Sequence, residues 1–252
     1  MAAERVVAVT GGASGIGLAV AEAALAEGWH VAVADLDAGG LAAAEARLGT
    51  ARASYTTLDV TEEDAVEAWI AGAAARGPLK GLVTSAGIAR EVPALETPAD
   101  LFRRVMEINV TGTFLCARAA GRAMREAGGG AIVTLGSVSG LRGGKGRVAY
   151  GASKGAVVNM TRVLAVDLAR FGIRANCLCP GPVETPLVAA MVGPEQRAQW
   201  TRRVPLRRYA QPAEIAAMAM VLLDEARSSY VTGQAVAVDG GFSGAGIMDE
   251  VD

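Results

Sequence analysis

The chain predicts a single α/β domain, a doubly wound and mostly parallel sheet with helices on both faces. Three observations carry that expectation. Short β-branched apolar runs alternate with longer helix-period stretches almost from end to end, the signature of strand–helix–strand units. No Pro-, Gly- or Ser-rich linker interrupts the alternation, so the 252 residues read as one domain rather than two. The glycine and polar clusters fall where strands end, which is where open parallel sheets bind ligands.

Residues 5–10 (RVVAVT) read as the first strand, followed at once by Gly11-Gly-Ala-Ser14-Gly15-Ile16-Gly17 and an alanine-rich helical pattern to Glu27. Strand, glycine turn and helix start together form a phosphate-binding arrangement. Glycines admit a pyrophosphate close to the backbone, and the helix start offers free N–H groups. The spacing Gly-x-x-x-Gly-x-Gly differs from the common Gly-x-Gly-x-x-Gly, and without its context it equally describes a plain turn. The second strand, residues 30–34, ends in Asp35. A carboxylate there accepts both ribose hydroxyls of an adenosine and repels a 2′-phosphate, which favours NAD over NADP. The plainer alternative is a cap on the following turn. Neither Leu36 nor Ser14 supplies a cation to welcome that phosphate.

Residues 41–48 read as helix and 53–58 as a third strand, closed by Asp59-Val60. Thr61-Glu62-Glu63-Asp64 reads as a capped helix start with acids at the positive end of the dipole. That helix runs to about residue 76, where Gly77-Pro78 breaks it. A fourth strand, 81–84, leads into Ser85-Ala86-Gly87. A long helical region over 99–126 contains Asn109, and a fifth strand, 131–135, delivers Gly136-Ser137. After a loop over 138–148, a helix runs to residue 170, and a sixth strand, 173–179, ends in Pro180-Gly181. From 182 to 211 the pattern lapses, which in a compact domain points to a lid or binding loop. Residues 212–225 read as helix and 234–238 as the last strand. The tail from Gly240, glycine-rich then acidic, is expected to be loose unless a partner subunit holds it.

Composition narrows function by exclusion. A formal charge of −2 gives no electrostatic case for nucleic acid or an anionic membrane. No apolar run approaches the ~18 residues of a membrane span, and the start enters a strand without a visible signal peptide. A cytoplasmic protein is expected. His30, the only histidine, stands at a strand entry, which argues against histidine triads, His-rich metal sites and histidine general bases. Cys116, Cys177 and Cys179 lack zinc spacing, and Cys177-Leu-Cys179 alternates on an apolar strand. Core packing is expected of them, and no metal site.

The chemistry concentrates in Tyr150-Gly-Ala-Ser-Lys154. Four residues of helix return a side chain to nearly the same face, so the phenol and the ammonium can share one pocket. A free phenol titrates near ~10, and a cation held close favours the phenolate and lowers that value. A phenol so tuned can pass a proton to or from an alcohol or carbonyl oxygen.

Taken together, these residues resemble the short-chain dehydrogenase/reductase family in its compact single-domain branch. The likeness covers residues 5–241, and the motifs occur in order: Thr10-Gly11-x-x-x-Gly15-Ile16-Gly17, Asp59-Val60, Ala86-Gly87, Asn109, Ser137, Tyr150-x-x-x-Lys154 and Pro180-Gly181-x-x-x-Thr185. The resemblance implies a Rossmann-type sheet of seven strands and hydride transfer between a secondary alcohol and NAD. It implies Tyr150 as acid/base and Ser137 as hydrogen-bond partner of the reacting oxygen. Lys154 would lower the Tyr150 pKa and bind the nicotinamide ribose, while Asn109 would hold a relay water. Gly11, Ser14, Ile16 and Gly17 match the pyrophosphate turn, Asp59 and Val60 the adenine contacts, and Val183 and Thr185 the carboxamide contacts. Gly15, Asp35, Leu36, Ser85, Ala86, Gly87, Pro180 and Gly181 complete the implied cofactor set. Two departures stand out. Ser85 replaces the asparagine usual before Ala-Gly, losing an amide, and Gly136 replaces a serine that often precedes Ser137. The resemblance also implies a homotetramer, with the 99–126 and 150–170 helices packed on their copies and the last helix and strand at a second interface.

The loop between Ser137 and Tyr150 borders the expected substrate pocket and carries Arg142, Lys145 and Arg147. Ser139 and Arg147 are the candidate substrate contacts, with Arg147 the first choice, ahead of Lys145, to bind a carboxylate or phosphate bidentately. The alternative is a solvated loop or a subunit contact. Arg202, Arg203, Arg207 and Arg208 read as surface charges. The function expected first is oxidation of a polyol, sugar or hydroxy acid with NAD. A 3-oxoacyl thioester reductase is the alternative, but that role generally prefers NADPH and basic residues near the second-strand end. A non-catalytic dinucleotide-binding scaffold is a third, against which the intact Ser137, Tyr150 and Lys154 argue.

Overall fold

The computed structural model describes residues 5–245; the first four residues and the acidic end of the tail lie outside the described residues. Strands β1 (Val6–Thr10), β2 (His30–Asp35) and β3 (Ala53–Thr57) alternate with helices α1 (Gly15–Ala26), α2 (Ala38–Leu48) and α3 (Glu63–Ala74). Then come β4 (Leu79–Thr84), α4 (Ala99–Met106), α5 (Gly112–Glu126), β5 (Gly130–Leu135), α6 (Val148–Leu168) and β6 (Ile173–Pro180). Helices α7 (Pro186–Met191), α8 (Pro194–Arg203) and α9 (Pro212–Leu223) precede β7 (Ala235–Val238). The seven strands lie in the order β3-β2-β1-β4-β5-β6-β7, and every neighbouring pair is parallel. The order reverses between β1 and β4, which opens a crevice over their carboxyl ends.

Side chains alternate across the sheet with the period of two that strands impose. Val6, Ala8, Leu82 and Ile132 pack with Val66, Ile70 and Leu115 of α3 and α5 on one face. Val7, Val9, Val83 and Val133 pack with Val20, Ile215 and Met220 of α1 and α9 on the other. Small residues at Ala21, Ala24, Ala216 and Ala219 let α1 and α9 lie against each other. Cys116, Cys177 and Cys179 are free thiols buried in the core, as expected.

Four expectations need correction. The region over 99–126 is not one α-helix: Glu107–Thr111 form a π-helical segment with Asn109 inside it. The 182–211 segment carries two helices, α7 and α8. Each opens on a proline, which suits a first helical turn, and neither buries a residue, so no apolar stripe announces them. Thr61 does not cap α3. Its hydroxyl donates to Asp59 Oδ1 at 2.7 Å, and Glu62 takes the cap position without a side-chain bond. The helix from residue 148 ends at Leu168 rather than 170, closing through a short 3-10 turn at Ala169–Phe171 into left-handed Gly172 (φ 69°).

Candidate active site

The first glycine turn is built by contact as much as by conformation. Gly11 has φ 63°, and a Cβ there would stand 2.6 Å from Ala86 N. Gly17 lies beneath the turn, where a Cβ would meet Gly11 O at 2.1 Å. At the end of β2, Asp35 accepts from Ala13 N–H at 3.0 Å and from Asp37 N–H at 3.1 Å. It therefore ties the turn to the second strand while still facing the cleft. The N–H and hydroxyl of Thr61 hold the Asp59 carboxyl below the usual carboxylate range. The segment that departs from the family pattern is anchored from β1: Ser85 N–H donates to Thr10 O and Ala86 N–H to Thr10 Oγ1, each at 3.2 Å.

Asn109 is fully buried, and its amide is committed. Oδ1 accepts from Ile88 N–H at 2.8 Å, while Nδ2 donates to Ile88 O and Ser153 Oγ at 3.0 Å each. It thereby joins the exit of β4 to α6. Lys154, also buried, donates from Nζ to Leu135 O at 2.7 Å, and Nζ lies 5.8 Å from the Tyr150 ring centroid. Ser137 Oγ accepts from Ser139 N–H at 3.1 Å, which leaves its own proton free to point into the cleft. Behind it, Cys177 and Cys179 occupy the space of a side chain at 136, where a Cβ would approach their sulfurs to 2.7 and 3.0 Å. Glycine is the residue that packing admits in place of the usual serine. The Cys179 thiol, hydrogen-bonded with Cys177 and buried, is pushed well up and stays neutral.

One cleft of about 480 Å³ runs from Asp35, Leu36, Asp59 and Val60 past Gly11, Ser14, Gly15 and Ile16 to Ser137, Tyr150 and Lys154. Ser85, Ala86, Gly87, Pro180, Gly181, Val183 and Thr185 also line it, whereas Gly17 and Asn109 support it from behind. The cleft suits an extended dinucleotide: an open glycine turn at a helix start in the middle, a carboxylate at one end and a phenol with an ammonium at the other. Among the described residues no cluster of metal-ligating side chains occurs.

Beside Tyr150 a smaller chamber of about 80 Å³ is walled by Leu187, Met191, Val192, Trp200 and Tyr209, with Ser139 and Arg147 at its edge. Sequence reasoning missed Trp200, Tyr209 and Glu91, since none belongs to a spaced motif; aromatic residues inside the long 182–211 segment were the one available signal. Arg147 is not solvated, being only 8% exposed, although residues 141–145 of the same loop are exposed. Arg142 is instead drawn to Phe242 O (2.8 Å), and Arg202, Arg203, Arg207 and Arg208 are exposed, as expected.

Comparison with known proteins agrees with this geometry. A family model described as enoyl-(acyl carrier protein) reductase matches residues 11–243. Galactitol 2-dehydrogenase (L-tagatose-forming) of Cereibacter sphaeroides is 46% identical over 239 residues, covering 94% of each chain. Cis-4-hydroxycyclohexanecarboxylate dehydrogenase of Sinomonas cyclohexanicum is 43% identical over 244 residues, covering 96% of this chain and 97% of that one. The crystal structure of a levodione reductase superposes with a TM-score of 0.91 at 35% identity, covering 96% of this chain and 98% of that one. The chain belongs to the short-chain dehydrogenase/reductase family. It is an oxidoreductase of CH–OH groups, a class that works with a nicotinamide cofactor.

Proposed function

We propose that this enzyme oxidises a secondary alcohol (a polyol, sugar or hydroxy acid) to the ketone with NAD, and that Tyr150 is its acid/base. The observation that carries the reading is that Tyr150, Ser137 and Lys154 face one cleft whose far end is Asp35. Bound nicotinamide supplies the hydride acceptor. Tyr150 takes the hydroxyl proton as the carbinol hydrogen leaves as hydride, and Ser137 holds the same oxygen by a hydrogen bond. The ammonium of Lys154 stands beside that phenol, with Nζ 5.8 Å from the ring centroid, where it meets the charge that develops in the transition state. Lys154 uses one N–H on Leu135 O, leaving two for a ribose hydroxyl and for a path to solvent. Since the amide of Asn109 is committed to Ile88 and Ser153, its contribution to that path comes through its backbone carbonyl, which already accepts from Thr113 at 2.8 Å.

Gly11, Ser14, Gly15 and Ile16 would hold the pyrophosphate, and Asp35 the adenosine ribose. A 2′-phosphate would meet the Asp35 carboxylate, a like-charge encounter worth several kcal/mol. Initial rates should therefore favour NAD over NADP by ~100-fold in kcat/KM, and Asp35→Ser should narrow that ratio at least tenfold. Equal use of both cofactors by the native enzyme, with turnover of 3-oxoacyl thioesters, would move the assignment to the alternative reductase.

A homotetramer fits the apolar surface left on α5 and α6, where Phe114, Val163 and Val166 are 40%, 53% and 77% exposed. Strand β7, at the sheet edge, suits the second interface. Light scattering on the purified protein should give four chains per particle; a monomer at micromolar concentration would reject it. Three free thiols, all buried, fit a reducing cytoplasm.

A further inference from the structure

The tail after β7 is fastened where it begins. Residues 239–243 form a turn in which Asp239 Oδ1 accepts from Gly241 N–H at 2.9 Å and Oδ2 from Ser243 N–H at 2.7 Å. Gly240 O accepts from Leu206 N–H at 3.2 Å, and Arg142 donates to Phe242 O at 2.8 Å. Gly240 (φ 63°) and Gly241 (φ 90°) take backbone angles that side chains rarely adopt, and a Cβ at Gly241 would stand 2.8 Å from Pro205. The turn is thus tied to the segment that leaves α8 and to the loop before α6. It delivers Phe242, whose ring lies parallel to that of Trp200, with 4° between the planes and 5.8 Å between centroids.

Trp200 depends on that neighbour. Its helix, α8, buries no residue, so no apolar face fixes the helix to the body. The other ties of α8 are polar: Gln196 donates to both carboxylate oxygens of Glu91, at 3.0 and 2.8 Å, and Arg197 pairs with Glu184. The guanidinium carbon of Arg147 lies 5.5 Å from the Trp200 ring centroid and 5.8 Å from that of Tyr150, and Glu91 Oε2 meets its charge at 3.2 Å. A run of contacts therefore passes from the tail through Phe242, Trp200 and Arg147 to the proposed acid/base.

Trp200 is also a wall of the small chamber, with Leu187, Met191, Val192 and Tyr209. That chamber shares Ser137, Tyr150, Leu187 and Val188 with the main cleft. An alcohol whose oxygen is held by Ser137 and Tyr150 thus projects a substituent toward it, and its volume of about 80 Å³ admits only a small carbon group. Building on the dehydrogenase reading above, we propose that the 239–243 turn is a working part of the substrate site. Trp200 is a specificity residue that limits the size of one substituent on the reacting carbon, and Phe242 is the positioning residue that holds the indole in place. The preferred substrate is a secondary alcohol with at least one compact substituent.

The test uses the full chain with NAD and two alcohols: compact butan-2-ol, and diphenylmethanol, both of whose substituents are rings. Trp200→Ala should raise kcat/KM for diphenylmethanol relative to butan-2-ol at least tenfold. Phe242→Ala should move the same ratio the same way at least threefold, although Phe242 is not among the residues that line the chamber. Phe242→Leu, which keeps apolar bulk without a ring, should shift the ratio in that direction too and serves if the alanine variant does not fold. Joining Trp200→Ala to Phe242→Ala should add nothing to the shift of Trp200→Ala alone, since Phe242 acts through Trp200. A tail with a merely structural role would lower both alcohols alike. That result, an unmoved ratio in Trp200→Ala, or additive shifts in the double variant overturns the proposal. Calorimetric affinities of the two alcohols for the protein–NAD complex should show the same reordering. Reordered binding without turnover supports both residues and rejects only the dehydrogenase reading, whereas turnover with an unmoved ratio rejects both residues and leaves that reading in place.

Discussion

Replacing Tyr150 by phenylalanine should cut kcat for alcohol oxidation by ~10³-fold, within the range general acid–base groups contribute, while leaving dinucleotide binding within a few-fold of native. The substitution removes one hydroxyl and keeps the ring, so the packing between Arg147 and Lys154 survives. The proton from the substrate then has no base within the Ser137–Lys154 group, because a serine hydroxyl is a far weaker base than a phenolate and the ammonium of Lys154 is a donor only. The measurement is steady-state kinetics paired with calorimetric titration of NAD. Retained turnover with intact cofactor binding would remove Tyr150 from the mechanism.

Gly17→Ala should abolish measurable cofactor binding, a loss of ~100-fold or more, and lower the melting temperature, since overpacking typically costs 1–3 kcal/mol or more. The added methyl would lie 2.1 Å from Gly11 O and 2.7 Å from Gly11 C, so it meets backbone rather than a side chain that could turn aside. Gly11 has no retreat, because its own outer side is closed by Ser85 and Ala86 at the end of β4. The turn must open, and the free N–H groups at the start of α1 lose their common aim. Titration of NAD by fluorescence, with a thermal melt, checks both parts. Native-like affinity in the variant would mean that the turn does not cradle the pyrophosphate.

Much of the fold was legible because its signals are local. Alternating runs marked β1 to β6, and the Thr10–Gly17, Asp35 and Tyr150–Lys154 stretches were found by position relative to strand ends and by helical spacing. The ends of elements were less legible. Leu79 and Gly130 join their strands although a break residue precedes or occupies them, and the π segment has no sequence mark, although Asn109 inside it bonds to Ile88 and Ser153. Helices α7 and α8 bury nothing and so leave no periodic trace.

By itself, then, the sequence determined the parallel doubly wound sheet, the glycine turn, the acidic strand end and the phenol–ammonium pair, because periodicity and short spacings encode each of them. Only the tertiary structure decided that Gly17 and Asn109 support the cleft from behind, that two cysteines exclude a side chain at 136, and that Arg147 comes already paired with Glu91 and clasped by Trp200. Apart from Gly17 beneath Gly11, those relations join residues tens of positions apart in the chain. They arise from how a closed sheet end and a folded-over segment share a small volume, which no local pattern records.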